Sequence, residues 1–275
     1  MVGTIKTMTG PVIILGASGM LGHALQKIYP EAIRVTHRDF DITNKKDVYA
    51  LIGDSKNSIV LNSAAYTNVE ASEDNIESAF AVNADGPEYI AAACKKSGSM
   101  LVHFSSDYVF DGTKKEFDEY DIPHPINTYG KSKFAGEVNI RKNMEDFRII
   151  RTSWLFGECG KNFIDTIISL SKHMDTVKVV SDQFGSPTYT KDLSEKIPEL
   201  ISREPGIYHI TNAGSCSWFE LASEIIPNAV PCATTDCPTK VNRPKYSVLM
   251  NTKTSPLRPW RDAVIEFLKI NGWSQ

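Results

Sequence analysis

Nowhere does this 275-residue chain reach the ~18 consecutive apolar residues of a membrane-spanning helix. Its opening stretch, MVGTIKTMTGP, lacks the apolar core of a signal peptide, and its first residues read as a short disordered lead. Cysteine is scarce. Cys94, Cys159, Cys216, Cys232 and Cys237 form an odd, scattered set, for which a reduced, cytoplasmic protein is the simplest expectation. Cys232 and Cys237 stand five apart beside Asp236, but no second Cys or His pair matches them, so no zinc site is expected. His103, His124, His173 and His209 also lack metal-ligand spacing and read as structural. Basic excess is absent: 30 Lys and Arg face 33 Asp and Glu, a net charge of -3, which gives no argument for nucleic acid. Internal repeats and low-complexity segments are missing too. What remains is an ordinary globular composition, 41% hydrophobic, with enough chain for a large core.

Strand and helix patterns alternate along the first half. VIIL (12–15) enters a glycine-rich turn, and GMLGHALQKIY follows at helical spacing. AIRVT (32–36), SIVLNSAA (58–65), MLVHFSS (100–106) and FRIIRTSWLFG (147–157) supply further strands. Helices are predicted at 44–52, with Asn44 as N-cap, at about 72–97, and at about 128–143. This alternation predicts an α/β fold, a Rossmann-type doubly wound parallel sheet whose strand C-termini meet at one ligand-binding edge. After residue 155 the pattern loosens into a smaller C-terminal substrate lobe. Helices are expected at 162–172, at 190–202 (interrupted by Pro198), at 217–226 and at 260–272. We expect residues 1–155 to bind the cofactor and 156–275 mainly the substrate. Strands near 177–181 and 206–211 are expected to rejoin the main sheet.

ILGASGMLGHAL places Gly16, Gly19 and Gly22 between the first strand and the first helix. Gly16 permits the turn, Gly19 lets backbone approach a pyrophosphate, and Gly22 allows close helix packing. The amides of Met20 and Leu21 then point at phosphates. NAD sites usually carry an acidic residue at the end of the second strand; here Thr36, His37 and Arg38 stand there. Arg38 suits a 2′-phosphate, so NADP(H) is the expected cofactor, with NAD(H) as a second one. Asp39 and Asp41 could hydrogen-bond a ribose or adenine instead.

NTYGKSKFAGE (127–137) holds Tyr129 and Lys133 four apart on one helix face. Alone, the pair reads either as an acid with its tuner or as two residues on a wet surface. The wider pattern resolves the choice. GASGMLG (16–22), FDIT (40–43), LNSAAYTNVEASE (61–73), VNADGP (82–87), HFSSDYVFDG (103–112), NTYGKSKFAGE, RTSWLFG (151–157), DQFGSPTYTKDL (182–193), GIYHITNAG (206–214) and RPKYSVL (243–249) together resemble the dTDP-4-dehydrorhamnose reductases, which are extended short-chain dehydrogenase/reductases. The likeness runs to about residue 255. It implies reduction, by NAD(P)H, of the 4-keto group of a nucleotide-diphospho-6-deoxyhexose, most simply dTDP-4-dehydro-L-rhamnose to dTDP-L-rhamnose. Ser106 stands where the family usually has threonine, and keeps the hydroxyl.

The resemblance assigns Tyr129 as proton donor, Lys133 as its tuner and ribose anchor, and Ser106 as the hydroxyl that orients the substrate oxygen. It places Ser18, Asp41, Ile42, Ala64, Ala65, Tyr66 and Asn83 around the cofactor, Asn83 as a brace for the helix beside the active site. Thr67, Val69, Asp107, Tyr108, Trp154 and Arg243 fall near the sugar, base or diphosphate. Tyr108 and Trp154 read equally as core aromatics, Arg243 as a surface ion pair, and Ser106 alone as a strand-end cap. A phenol with pKa near 10 needs roughly 3–4 kcal/mol of help to exchange protons near neutrality. An ammonium about 5 Å away supplies roughly 3 kcal/mol at an effective dielectric near 20. Lys133 is expected to provide it. The family also brings a homodimer and an interfacial Mg²⁺ into view, and no residue here is assigned to the metal. Two rival readings share the fold: a non-catalytic NADP-binding regulatory subunit, and a sugar-nucleotide dehydratase or epimerase. A dehydratase places Glu after the Asp of strand four, where this chain has Tyr108.

Overall fold

The computed structural model describes residues 9–237 and 239–273. The expected disordered lead falls almost wholly outside that range. β1 (Val12–Leu15), α1 (Met20–Ile28), β2 (Ile33–Val35), α2 (Lys45–Asp54) and β3 (Ile59–Asn62) open the fold. Then come α3 (Val69–Asp74), α4 (Ile76–Phe80), a π-helical turn Ala81–Asp85 and α5 (Gly86–Ser97). They precede β4 (Met100–Ser106), the short β5 (Glu116–Phe117), α6 (Thr128–Asn143) and β6 (Phe147–Thr152). The main sheet runs Gly206–His209, β6, β4, β3, β1, β2, with every neighbouring pair parallel. The predicted Rossmann-type α/β fold is therefore the fold observed.

The sheet is central because both of its faces are covered. Every residue of β4 is buried, as expected for a strand with helices above and below. On one face Val48, Ile52, Ile90 and Ile140, from α2, α5 and α6, pack on Ile13, Val60 and Leu101. On the other, Leu21 and Leu25 of α1 join Leu193, Ile197 and Leu200 of the helix Thr190–Ile201 over Ile14, Leu61 and Val102. A third cluster, around Phe156, Ile164, Tyr189, Leu221, Trp260 and Phe267, forms the core of the C-terminal half.

Three expectations change. Val177–Val180 does not join the main sheet; it pairs parallel with Ala229–Cys232 in a two-stranded sheet of its own. The reason is legible in its burial. Val177 and Val179 face the core while Lys178 is exposed, so this strand has only one covered face. Second, Pro198 does not interrupt its helix, which is continuous over Thr190–Ile201. The proline ring lies on the exposed side of the helix, away from the core that Leu193, Ile197 and Leu200 enter. Third, the helical region expected at about 72–97 breaks at Asn75, between α3 and α4, and runs through the π-helical turn between α4 and α5.

Candidate active site

β1 ends at Leu15, and the chain turns at Gly16 with φ 79°. A Cβ there would lie 2.6 Å from the amide nitrogen of Ala64. At Gly22 a Cβ would come within 2.2 Å of the Gly16 carbonyl oxygen, so α1 sits directly on the turn. Gly19 differs: its Cβ would meet only the Gly16 oxygen, at 3.3 Å, and the rest of its surroundings are open. It caps α1 without any side-chain hydrogen bond, which leaves the first-turn amides to a ligand. Open space beside uncapped amides suits a pyrophosphate, and this is the observation on which NADP(H) fits the chain.

A cavity of about 730 Å³ extends from this turn across the C-terminal edge of the sheet. Gly16, Ser18, Gly19, Met20, Leu21, Gly22, Asp41, Ile42, Ala64 and Ala65 line it, as do Thr36 and His37. Arg38 is exposed next to His37 and forms no ion pair among the described residues. Asp39 accepts a hydrogen bond from the Thr36 hydroxyl at 2.7 Å, and Asp41 accepts from the Thr43 amide and hydroxyl.

Tyr66 and Asn83 stand outside the lining. Asn83 is 1% exposed. It accepts from the Tyr66 amide at 2.8 Å and donates to the Tyr66 carbonyl and to the Ser132 hydroxyl, both at 3.0 Å. With its amide fully engaged, Asn83 ties the loop after β3 to α6 and leaves no donor for a cofactor. The π-helical turn sets it there, and α6 approaches so closely that a Cβ on Gly136 would fall 2.1 Å from the Asn83 backbone carbonyl oxygen.

At the other end of the cavity stand Thr67, Val69, Ser106, Asp107, Tyr108, Tyr129, Lys133, Trp154 and Arg243. β4 delivers Ser106 at its last residue, where the Oγ donates to Asp107 at 2.9 Å and accepts from the Tyr108 amide at 3.1 Å. α6 delivers Tyr129 and Lys133 from its first two turns, capped by Asn127, whose Oδ1 accepts from the Gly130 amide at 2.8 Å. Gly130 is needed for this fit, since a Cβ there would lie 2.1 Å from the Tyr108 carbonyl oxygen.

Lys133 is anchored on β4. Its Nζ donates to the Phe104 carbonyl at 2.7 Å, and the side chain is 2% exposed. Burial lowers its pKa to about 8, against a pull upward from Glu137. Glu137 is itself buried and accepts from Ser105 at 2.6 Å and from Arg151 at 2.9 and 2.7 Å. Burial pushes the Tyr129 phenol up, the Ser106 hydroxyl pulls it back, and Asp107 and Tyr108 raise it further. In the chain by itself the phenol therefore keeps its proton.

Asp107 is 3% exposed, and its Oδ2 has no hydrogen-bond partner. Burial raises its pKa to about 6, with the Ser247 and Ser106 hydroxyls pulling the other way. Tyr108 packs edge-on against Tyr129, with ring centroids 5.9 Å apart. Its hydroxyl accepts from Arg243 at 2.9 Å, while the second arm of Arg243 pairs with Glu70 at 2.8 Å. Tyr108 and Arg243 thus serve packing and cavity at once. Glu70 was not singled out in the sequence.

Trp154, at φ 47°, stacks on Trp218 with centroids 3.4 Å apart and planes within 5°. Both rings line the cavity. Trp218 was missed, although Ser217-x-x-Glu220 closes a capping box that fixes it at the start of its helix. Thr152, also missed, lines the cavity with a buried hydroxyl that has no partner. No group of three or more His, Cys, Asp or Glu among the described residues could hold a metal ion, and none of their helices is long and apolar enough to cross a membrane.

Residues 9–272 match the family model of the RmlD substrate binding domain. The chain is 39% identical over 273 residues to the spore coat polysaccharide biosynthesis protein SpsK of Bacillus subtilis (strain 168), covering 94% of this chain and 96% of that one. It is 37% identical over 267 residues to the dTDP-4-dehydrorhamnose reductase of Aggregatibacter actinomycetemcomitans, covering 88% and 91%. The crystal structure of dTDP-4-dehydrorhamnose reductase from Bacillus anthracis str. Ames in complex with NADP superposes with a TM-score of 0.91 at 37% identity, over 96% of this chain and all of that one.

Proposed function

The chain belongs to the RmlD substrate binding domain family, and from that premise we propose that it is an NADP(H)-dependent reductase of the 4-keto group of a nucleotide-diphospho-6-deoxyhexose. The favoured substrate is dTDP-4-dehydro-L-rhamnose, reduced to dTDP-L-rhamnose. The observation that carries the reading is the meeting of Ser106, Tyr129 and Lys133 in the cavity that begins at the glycine turn. Residues 1–155 act as the cofactor part and most of 156–275 as the substrate part. A cytoplasmic location goes with a reaction that draws on that compartment's NADPH.

NADPH, when bound, supplies the hydride to the ketone carbon. Each other requirement falls to the chain. The Ser106 hydroxyl holds the ketone oxygen beside Tyr129. Tyr129, kept protonated by burial, releases its phenolic proton only once the oxygen has become an alkoxide, a far stronger base than the phenolate. The sugar alcohol and a tyrosinate result, and solvent restores the proton. Lys133, still mainly protonated at neutral pH, places a buried positive charge beside that tyrosinate. Arg243 suits the diphosphate, at the cost of its pairing with Glu70.

Following NADPH consumption over a panel of 4-keto sugar nucleotides, with identified products, tests the reading. We expect turnover with a dTDP-4-keto-6-deoxyhexose and a loss of roughly 10²–10⁴-fold in Tyr129→Phe. Binding without turnover would favour a regulatory subunit; near-normal kcat in Tyr129→Phe would end the proposed mechanism. Arg38→Ala is expected to erode the preference for NADPH over NADH, and an unchanged ratio would remove Arg38 from the 2′-phosphate site.

A further inference from the structure

Two thiols outside the site stand in contact. The Sγ atoms of Cys232 and Cys237 are 2.8 Å apart. Cys232 closes the strand Ala229–Cys232, where its carbonyl accepts from the Ser181 amide at 3.0 Å. A single 3₁₀ turn, Thr234–Asp236, then brings the chain back. The Asp236 amide donates to the Ala233 carbonyl and the Cys237 amide to the Thr234 carbonyl. Thr234 anchors the turn from outside, donating through its amide at 3.0 Å and its hydroxyl at 2.6 Å to Asp182. The backbone thus fixes both ends of a six-residue ring. A disulfide is ~2.04 Å long, so the sulfurs lack about 0.8 Å, a distance that side-chain rotation covers.

We propose that Cys232 and Cys237 are a dithiol site that closes reversibly to an intramolecular disulfide on exchange with a small-molecule disulfide, and so pins the segment that carries Arg243 to the cavity. A zinc reading does not compete, because no third ligand stands beside the pair among the described residues. Cys237 is the more accessible sulfur and makes the first attack. Its thiolate displaces one thiolate from the small disulfide and holds the other half as a mixed disulfide. Cys232 gives up its proton and displaces that half. The protein loses two hydrogens, and the small disulfide becomes two thiols. Burial, the Cys237 thiol and Asp236 push the Cys232 thiol up to about 11, which makes it a poor leaving group and slows reopening by attack at Cys237. Five residues beyond Cys237, the Asn242 carbonyl accepts from Asn127, and Arg243 reaches Tyr108 and Glu70. Closing the ring fixes Cys237 covalently, five residues before those contacts.

The test is incubation of the full chain with oxidised glutathione, then alkylation and peptide mapping. The expected product is ~2 Da lighter, links Cys232 to Cys237, retains no glutathione at either and reverts with excess thiol. Cys237→Ser should abolish the mass loss. Backbone hydrogen exchange over residues 233–242 should slow by roughly tenfold on closure. If both thiols stay alkylatable, or each carries its own glutathione, the site is refuted. If the link forms and exchange is unchanged, the pinning is refuted. Neither outcome depends on turnover of any sugar nucleotide.

Discussion

Replacing Lys133 by methionine should abolish turnover and change stability in a pH-dependent way. The folded lysine has a pKa of about 8 against 10.5 for the free side chain, chiefly because it is buried. A lowered lysine pKa costs stability wherever the unfolded chain holds more protons. That cost is complete below about pH 8 and disappears as the pH rises through 10.5. The drop from 10.5 to about 8 corresponds to about 3 kcal/mol at pH 7. At pH 10 about 1 kcal/mol of it remains. Methionine removes the charge but leaves the Phe104 carbonyl without its ammonium donor, which costs about 1–3 kcal/mol at every pH. Lys133→Met is therefore expected to be up to about 2 kcal/mol more stable than the parent at pH 7, and its stability relative to the parent to fall by about 2 kcal/mol by pH 10. Urea unfolding of both proteins at the two pH values reads it directly, and because only the difference is used, other titrating groups drop out. A stability difference that stays constant with pH would refute the claim that a buried, charged lysine is held at a cost for function.

Two further substitutions probe the frame. Gly22→Ala forces a Cβ to 2.2 Å from the Gly16 carbonyl, and should raise the KM for NADPH by at least roughly tenfold while destabilising the fold by about 1–3 kcal/mol; nucleotide titration and thermal melting measure both. Asn83→Ala removes the three hydrogen bonds of a buried amide and should cost about 2–4 kcal/mol by urea unfolding, with kcat falling more than the KM for NADPH rises, because the loop and α6 lose their common tie.

Legibility in the sequence followed the range of the interaction. The glycine turn and the Tyr129–Lys133 pair are local patterns whose geometry is set within a few residues. Strand four could be placed because MLVHFSS carries apolar residues at both odd and even positions, which implies cover on both faces. The strand at 177–180 carried the opposite mark, Lys178 between two valines, and only its partner at 229–232 was beyond reach. What Lys133 touches was not legible, because the Phe104 carbonyl lies 29 residues upstream on another element. The same holds for Asn83, whose neighbours in the sequence say nothing of Tyr66 or Ser132. Glu137 closes the NTYGKSKFAGE stretch, yet its bond to Arg151 appears only once α6 lies against β6.

The stacked pair Trp154 and Trp218 also gives the molecule an optical property. Two of its four tryptophans face one cavity in van der Waals contact, while Trp260 is sealed in the C-terminal core. A reduced nicotinamide absorbs where indole emits, so a dinucleotide entering beside these rings would quench them by energy transfer. A nucleotide-sugar entering without it would shift their emission by changing the polarity around them. The protein therefore carries its own fluorescent gauge of cavity occupancy, and the two ligands can be titrated separately without a label.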